Sequence, residues 1–268
     1  MITNMQGIIK TITAQIKQHM DIAIVGMSGG ADSTLVAMLC QQALGPQRVY
    51  SLHMPACPHD EETFNSNSLR IADALAIHKY TIGVSPIADA IVTSSCQALG
   101  VAHLSQLNEG NARVRARMCL LYTFSHHLGQ ELGLRARVVG TGNLSEDFIG
   151  YDTKGGDALA DLFPIGELFK SEVYQMLDYF VAEKHLADSM INRIPSAGLW
   201  PEQTDERELV YSYNQMEGAI RKYLRGDLGP HRAREQMSPV EQFVVARHQA
   251  HAHKHQAPVV LSVRQFCD

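Results

Sequence analysis

The architecture of this chain is best inferred from one stretch, Asp21-Ile-Ala-Ile-Val-Gly-Met-Ser-Gly-Gly-Ala-Asp-Ser33. Its apolar part, Ile22 to Val25, predicts a buried strand, and an apolar helical pattern begins just after Ser33. The glycines between them let the backbone turn tightly and approach a ligand closely. The N–H groups of such a loop and of the first helical turn point at one spot, where the helix dipole favours negative charge. The stretch therefore predicts an anion-binding turn between a strand and a helix.

This loop differs from the common nucleotide-binding loops. No Gly-Lys-Ser/Thr follows the glycines, and the pattern is not Gly-x-Gly-x-x-Gly. It does match Ser-Gly-Gly-x-Asp-Ser, the pyrophosphate loop of enzymes that split ATP between its α and β phosphates. Asp32 beside a phosphate requires a cation, and Mg²⁺ bound to a nucleotide would supply it. We therefore prefer an ATP phosphate site over the alternative, a tight connection without a ligand.

Predicted strands and helices alternate along the chain. Apolar runs predict strands over 21–25, 48–54, 80–84 and 137–140. Helical periodicity predicts helices over 3–18, 33–44, 67–77, 86–96, 111–132, 169–183, 205–224 and 239–253. This alternation indicates an α/β fold with a Rossmann-like parallel sheet and helices on both faces. No linker or composition break divides the chain, so we predict a single domain over 1–268.

Composition describes an ordinary globular protein. With 268 residues, of which 45% are hydrophobic and 19% charged, the chain can bury a sizeable core. Its net charge of −5 argues against a general nucleic-acid binder, which usually has a basic surplus. The five cysteines are scattered and never spaced as Cys-x-x-Cys, which excludes an obvious zinc knuckle or disulfide framework. No apolar run is long enough to span a bilayer. We expect a cytoplasmic protein with no nucleic-acid or membrane partner.

A second group of chemically active residues lies in the glycine-rich stretch 140–157. Long loops of this kind are usually functional or disordered, and the apolar residues that follow favour order. In parallel sheets, ligands sit beyond the carboxyl ends of the strands. This stretch follows the fourth predicted strand, so it should converge with the loop after the first strand on one crevice. Its charged residues are Glu146, Asp147, Asp152, Lys154 and Asp157.

With this second stretch in view, the chain resembles the ammonia-dependent NAD⁺ synthetases of the ATP pyrophosphatase-loop superfamily. The first motif, Ser28-Gly-Gly-Ala-Asp-Ser33, marks only the superfamily, whereas the ordered set of motifs is specific. The resemblance covers nearly all of the chain and implies an adenine nucleotide alpha hydrolase-like fold. The further motifs are Gly110-Asn-Ala-Arg-Val-Arg-Ala-Arg-Met118, Gly140-Thr-Gly-Asn-Leu-Ser-Glu146, Gly150-Tyr-Asp-Thr-Lys154 with Gly156-Asp157, Pro195-Ser-Ala-Gly-Leu-Trp-Pro201 and Gln203-Thr-Asp-Glu206.

The resemblance implies amidation of deamido-NAD⁺ (nicotinic acid adenine dinucleotide) with ATP and ammonia. The carboxylate of deamido-NAD⁺ attacks the α-phosphate of ATP, pyrophosphate leaves, and ammonia displaces AMP from the adenylate to give NAD⁺. Such chemistry demands stabilisation of the charge on the departing pyrophosphate and needs no side-chain nucleophile. Ammonia is expected rather than glutamine because no segment remains for a glutaminase domain. A homodimer, with the deamido-NAD⁺ site built partly across its interface, is also implied.

Individual residues receive roles by the same resemblance. Asp32 and Glu146 match Mg²⁺ ligands, and together with Lys170 they form the expected catalytic set. The expected ATP contacts are Gly26, Met27, Ser28, Gly29, Gly30, Ala31, Asp32, Ser33, Thr141, Lys170 and Ser196. The expected deamido-NAD⁺ contacts are Arg115, Lys154, Asp161, His253 and Lys254. The side-chain types agree with these roles, since cations suit phosphates and carboxylates, and acids suit metals and hydroxyl groups.

Structural explanations compete with several of these assignments. Lys170 is otherwise a surface lysine, and Glu146 an ordinary loop carboxylate. Arginines at 113, 115 and 117 would usually form a solvated helix face, and their spacing by two spreads them around the helix, so only Arg115 is assigned. The run His248-x-x-His251-x-His253-x-His255 suggests a metal site, but no cysteine or carboxylate completes a ligand set within it. A solvated helix end is the preferred interpretation there.

The chain departs from the family pattern at several places, among them Gly155 and the segment 55–68. Gly155 stands where a tyrosine is usual in Thr-Lys-Tyr-Gly-Asp, so stacking from that position is missing. The segment 55–68 does not match the pattern clearly. Both departures concern the dinucleotide contacts more than the ATP contacts.

Two other functions stay open at this stage. One keeps the loop and changes the acceptor, as in a tRNA-thiolating or guanylate-forming enzyme, although paired reactive cysteines and a basic RNA-binding face are not apparent. The other is a nucleotide-binding module without catalysis, which would have no need for two metal-binding acids. The amide-forming ligase is the leading hypothesis.

Overall fold

A parallel sheet lies at the centre of the protein. The structure, a computed structural model, describes residues 1–56, 67–184, 208–229 and 232–262. Its strands in these ranges are β1 (Ile22–Gly26), β2 (Val49–His53), β3 (His78–Thr81) and β4 (Ala136–Val139). They pair in parallel in the order β3-β2-β1-β4, with Ile24 of β1 opposite Tyr50 on one side and Val138 on the other. β1, which leads into the glycine loop, is therefore an inner strand.

Helices surround this sheet. In the described ranges they are α1 (Met5–His19), α2 (Ala31–Leu44), α3 (Ser85–Leu99), α4 (Gln106–Leu132), α5 (Leu144–Ile149), α6 (Lys170–Lys184), α7 (Tyr213–Leu224) and α8 (Pro239–His251). Residues 67–74 are also helical. None of the helices in this part of the chain combines the length and the apolar character that crossing a membrane requires.

The two faces of the sheet bury separate cores because side chains alternate along a strand. Ala23 and Val25 of β1 join one core with α1, α2 and α6, whose buried residues include Leu35 and Phe180. The other face buries Ile22 and Ile24 against α3 and α4, with Leu52, Met118, Leu121 and Val138. The predicted parallel sheet with helices on both faces is confirmed.

A third core lies among α5, α7 and α8. Phe148 of α5, Met216 and Ile220 of α7, and Val244 of α8 are all buried there. This packing brings α7, which follows a long separation in sequence, next to the loop after β4. The position of α7 matters for the site described below.

Several predicted boundaries differ from the structure. α2 begins at Ala31 rather than at residue 33, with Gly30 as its N-cap. The glycine-rich stretch 140–157, predicted as a long loop, contains α5, whose start is fixed by the Asn143 side chain accepting a hydrogen bond from the Glu146 N–H. α4 begins at Gln106, ahead of the predicted residue 111, because the Ser105 side chain caps it. Both caps act through one hydrogen bond to a backbone N–H, which a search for apolar periodicity does not detect.

Candidate active site

The glycine loop connects β1 to α2 at the carboxyl edge of the sheet. Gly29 has a φ of +76°, and a Cβ there would lie 3.0 Å from the backbone N of Ser68. The Ser28 hydroxyl lies 3.0 Å from the Ser33 hydroxyl and accepts a hydrogen bond from the Gly30 N–H at 3.2 Å. The loop is thus folded back on itself at the start of α2, and only glycine combines this φ with such a close neighbour.

The start of the helical segment 67–74 holds the loop, and the end of β2 contacts that segment in turn. The Asn67 side chain donates to the carbonyl of Gly29 at 3.2 Å, and the Ser68 hydroxyl lies 2.7 Å from Nδ1 of His53 at the end of β2. His53 is fully buried. Burial, and next the positive charge of Lys79, lowers the pKa of His53 to about 4, so its imidazole is neutral at physiological pH.

Of the predicted loop residues, Gly26 and Met27 lie below the turn. Gly26 is the last residue of β1, and the Met27 N–H donates to the carbonyl of Leu52 at 2.9 Å. Their backbone groups therefore continue the sheet. The residues from Ser28 to Ser33 form the turn and the first helical turn.

Three charged residues, distant in sequence, meet beside this loop. Lys170, the first residue of α6, places Nζ 2.5 Å from a carboxylate oxygen of Asp32 and 2.8 Å from one of Glu146. Asp32 lies in the first turn of α2, and Glu146 lies in α5. Lys170 is 4% exposed, so it is not the surface lysine that its sequence position allowed. The structure therefore brings the three residues of the expected catalytic set together.

The charge of Lys170 is stabilised by its two partners. Burial alone would lower the pKa of Lys170, but the carboxylates of Asp32 and Glu146 and their hydrogen bonds outweigh this effect and raise it well above its ordinary value. The ammonium group is therefore a fixed positive charge at the edge of the glycine loop. Such a charge is suited to contact phosphate oxygens.

Two further residues complete this group, and sequence reasoning did not assign them. The Asn143 side chain donates to Asp32 at 3.0 Å while its carbonyl oxygen caps α5 through the Glu146 N–H. The Tyr213 hydroxyl donates to Glu146 at 3.3 Å, and Nζ of Lys170 lies 5.4 Å from the centre of its ring. Asn143 had a sequence signal as a helix N-cap, whereas Tyr213 acts through long-range packing of α7.

The donor set fits a hard divalent cation. The carboxylates of Asp32 and Glu146 share a single cation, the Lys170 ammonium, and the Asn143 side chain adjoins Asp32. Carboxylate oxygens are the ligands that Mg²⁺ prefers, particularly together with substrate phosphates. Asp32 and Glu146 are thus the residues here that could hold Mg²⁺.

A second cluster joins four of the residues that resemblance assigned to deamido-NAD⁺. Nε of Arg115 donates to the carbonyl of Lys154 at 3.2 Å. Nζ of Lys154 donates to the carbonyl of His253 at 2.9 Å. Lys254, next along the chain, donates to the carbonyls of Gly150 and Asp152 at 2.7 and 2.6 Å. Residues 253–254 are thereby tied to the loop at 150–154, from which they are separated by 99 to 104 positions in the chain.

Acidic residues border this second cluster. Asp147, Asp152 and His255 place ligand atoms within 4.8 Å of one another, and Lys254 pairs with Asp152 at 3.1 Å. Burial raises the pKa of Asp147 to about 7, partly offset by the nearby His255. The hydrogen bond to Asp152 raises the pKa of His255. Because Lys254 already balances Asp152, these groups form an ion-pair network.

The histidine run does not form a metal site with itself in the described part of the chain. His248 stacks on Phe148 with ring centres 4.1 Å apart and contacts the Phe148 carbonyl. His251 packs against Gly150. A Cβ added at Gly150 would lie 2.1 Å from the Cβ of His251. The interpretation as a solvated helix end is therefore wrong for His248, which packs onto α5, whereas His253 is exposed.

Two predicted site residues lie apart from these contacts, and a third is not among the residues that the structure describes. Asp161 accepts a hydrogen bond from the Val138 N–H at 2.8 Å, and this bond caps the outer edge of β4. Thr141 lies two residues past the end of β4 and follows Gly140, whose N–H donates to the Leu162 carbonyl. Ser196 lies outside the described residues.

The fold and this site define a class of protein: an α/β nucleotide-binding protein with a phosphate-type loop after an inner strand and a charged cluster at its side. Comparison with known proteins gives the family. The chain belongs to the NAD synthase family, whose model matches residues 4–258.

Similar proteins agree with this family. The chain is 36% identical over 246 residues to the NH(3)-dependent NAD(+) synthetase of Methanosarcina acetivorans, an alignment that covers 91% of each chain. Its fold is similar to that of an NMN synthetase from Francisella tularensis, with a TM-score of 0.77 and 25% identity over 97% of this chain and all of that one. An NH3-dependent NAD synthetase from Campylobacter jejuni gives a TM-score of 0.75 at 25% identity with the same coverage. The adenine nucleotide alpha hydrolase-like fold is thereby confirmed.

Proposed function

We propose that this protein is an ammonia-dependent ligase that converts deamido-NAD⁺ to NAD⁺ at the expense of ATP. The observation on which this rests is the contact of Lys170 with both Asp32 and Glu146 beside the glycine loop. It is supported by the names of the curated relatives, which match this chain over most of their own length. A non-catalytic nucleotide binder would not need this arrangement of opposite charges.

In the proposed reaction, a carboxylate oxygen of deamido-NAD⁺ attacks the α-phosphorus of ATP. The bond from this phosphorus to the bridging oxygen breaks, and pyrophosphate leaves. Ammonia then attacks the carboxyl carbon of the adenylate, the bond to the AMP oxygen breaks, and the nitrogen loses a proton. The products are NAD⁺, AMP and pyrophosphate.

The residues of the first cluster would act on the phosphates of ATP. Backbone N–H groups from Ser28 to Ser33 would hold the outer phosphates, since they lie at the start of α2. The Lys170 ammonium would stabilise negative charge as pyrophosphate departs. Asp32 and Glu146 would hold Mg²⁺, which neutralises phosphate charge when bound. Thr141 and Ser196 remain proposed ATP contacts by resemblance.

The second cluster would hold the acceptor. Arg115, Lys154, His253 and Lys254 place positive or proton-donating groups close together, as a dinucleotide with phosphates and a carboxylate requires. Asp161 remains a proposed contact by resemblance to the family. A mononucleotide acceptor is the second candidate, because one structurally similar protein is an NMN synthetase and Gly155 supplies no side chain for stacking.

An assay of NAD⁺ formation tests the proposal. Purified protein receives ATP, Mg²⁺ and one acceptor, either deamido-NAD⁺ or the corresponding mononucleotide, with ammonia or glutamine as nitrogen source. We expect AMP, pyrophosphate and NAD⁺ in equal amounts with deamido-NAD⁺ and ammonia, and little product with glutamine. ATP cleavage at the same rate without an acceptor would contradict the proposal.

We further propose a homodimer of single-domain chains that works in the cytoplasm. The described cysteines Cys40, Cys96 and Cys119 are free thiols, which agrees with a reducing compartment. Sedimentation equilibrium should give twice the chain mass at working concentrations. A monomer under those conditions would contradict the dimer.

A further inference from the structure

Glu217 is a buried carboxylate on α7 that joins the two helices on which Lys170 and Glu146 lie. We infer that Glu217 is a positioning residue: it fixes α6 against α5 and so sets the place of the Lys170 ammonium. This inference rests on the proposed function for its catalytic consequence. Neither the sequence motifs nor the assigned contacts include Glu217.

The contacts of Glu217 are short, and its side chain is buried. One carboxylate oxygen accepts from the Ser145 hydroxyl at 3.1 Å and from the Ser171 N–H at 3.0 Å. The other accepts from the Ser171 hydroxyl at 2.5 Å. The Ser145 hydroxyl oxygen in turn accepts from the Lys170 N–H at 3.0 Å. Glu217 therefore organises, directly or through Ser145, the first two backbone N–H groups of α6.

The chain order gives these contacts their effect on the site. Ser145 immediately precedes Glu146, and Lys170 immediately precedes Ser171. Two of the three charged residues of the first cluster, Glu146 and Lys170, are thus each one residue away from a serine that Glu217 holds. A displacement of either serine would move the neighbouring charged side chain with it.

The same face of α7 contacts the first cluster at a second place. Tyr213 precedes Glu217 by four residues, and residues at this spacing lie on one face of a helix. The Tyr213 hydroxyl donates to Glu146, and its ring faces Lys170. One face of α7 therefore supports both the backbone and the side chains of the cluster.

Ordinary helix capping does not account for Glu217. α6 already has a local cap, since Glu172 accepts from the Phe169 N–H at 3.1 Å. At the start of α8, by contrast, the capping glutamate belongs to the helix itself, since Glu241 forms a capping box with Ser238. Glu217 instead comes from a helix that lies 46 residues further along the chain than Ser171. Its contacts fix one helix relative to another.

The test compares Glu217→Met with Glu241→Met. Both replace a buried glutamate, 5% and 6% exposed, by an apolar side chain of similar length, and both remove hydrogen bonds at the start of a helix. Only Glu217 is tied to Lys170. Glu217→Gln is the conservative variant, because its amide oxygen can still accept from Ser145 and from the Ser171 N–H. Ser145→Ala is a milder variant that removes one link.

In the NAD⁺ assay, we expect Glu217→Met to lower kcat by about tenfold or more, because small misplacements of a catalytic group are costly. The KM values for ATP and for the acceptor should change by less than about threefold. Ser145→Ala should also lower kcat, and Glu217→Gln should keep most of the kcat of the natural protein. Glu241→Met should keep kcat within about twofold of the natural protein despite a lower melting temperature.

A second readout does not depend on the proposed function. Acetylation of Lys170 by an amine-selective reagent, followed by peptide mass spectrometry, should be slow in the natural protein and in Glu241→Met. It should be about tenfold faster in Glu217→Met, because the start of α6 is released. Unchanged acetylation of Lys170 in Glu217→Met and in Ser145→Ala would overturn the inference, as would an unchanged kcat. If the natural protein forms no NAD⁺ at all, the proposed function fails, whereas the acetylation result still decides the role of Glu217.

Discussion

At the scale of residues, the arrangement around Lys170 determines what this site can do. Two carboxylates balance the positive charge of Lys170, so the side chain stays protonated although it is buried. Removal of the lysine would leave two carboxylates close together without a cation. Stability and Mg²⁺ affinity are therefore linked through this one side chain.

Replacing Lys170 by methionine tests this link. Loss of one partner of a buried ion pair typically costs about 3–5 kcal/mol, and we expect about 2–3 kcal/mol here because both carboxylates keep partial contact with solvent. Urea unfolding in the presence of EDTA measures the loss, and added Mg²⁺ should restore part of it. The control is Lys79→Met, which breaks an exposed pair with Asp73 and should cost less than about 1 kcal/mol. Equal losses in the two variants would contradict the account.

Gly29 is the residue at which the loop is most constrained. Alanine at a positive φ costs about 1–2 kcal/mol, and here its Cβ would also press on the Ser68 backbone. We expect Gly29→Ala to lower the free energy of unfolding by about 2–3 kcal/mol and to weaken ATP binding about tenfold or more. Gly100→Ala is the matched control, with a φ of +68° and open space around it. Calorimetric ATP titration of both variants makes the comparison, and equal ATP affinities would refute the role of the loop.

Residue roles were predictable from sequence only where the resemblance to the family supplies them. Asp32 and Glu146 lie in family motifs, Lys170 matches a family position, and the structure brings the three together. Tyr213 and Glu217 reach the cluster through α7, which packs there by virtue of a core of its own. Such contacts depend on tertiary packing and leave no local pattern in the chain.

At the scale of elements, the strands and long helices follow from apolar periodicity, and the short ones do not. α5 has six residues, too few for a periodic pattern, and its start depends on the Asn143 side chain. The α/β alternation predicts a parallel sheet but not the order of its strands. Local sequence does not determine which strands are neighbours or in what register they pair. The charged cluster depends on where α5 and α6 begin, and those starts are set by side-chain hydrogen bonds.

His53, which lies where β2 meets the helical segment 67–74, should make the stability of the protein depend on pH. The pKa of His53 is about 4 in the folded protein against an ordinary value near 6.5, so the unfolded chain binds the extra proton first. The contribution of His53 to the free energy of unfolding is full above pH 6.5 and is lost as the pH falls through 4. Between pH 7 and pH 4, the free energy of unfolding of the natural protein should fall by about 3 kcal/mol more than that of His53→Asn.

Urea unfolding at the two pH values measures this difference. Other groups, such as Asp157 with a pKa that desolvation raises to about 6, change stability in the opposite direction, but they contribute equally to both proteins. His103→Asn, at an exposed position, serves as control and should keep the pH dependence of the natural protein. A His53→Asn variant with that same pH dependence would show that His53 is not buried in its neutral form.

At the scale of the whole molecule, the fold assembles two clusters of charged residues from segments that are distant in sequence. The first follows β1 and β4 and suits phosphates, and the second joins the loop at 150–154 to the C-terminal residues 253–254. The net charge of −5 gives no indication of either cluster, because composition does not report distribution. The sequence predicted the class of fold and the nature of the substrates, whereas the ties between distant segments had to come from the structure.

The most direct test of the account is to follow the carboxylate oxygens of deamido-NAD⁺ labelled with ¹⁸O. If the protein forms an adenylate at this site, one labelled oxygen passes to AMP, and the other remains in the amide of NAD⁺. Mass spectrometry of the products should therefore find one ¹⁸O in AMP for each NAD⁺ formed, with pyrophosphate unlabelled. AMP without label, or label in pyrophosphate or in ADP, would contradict the account.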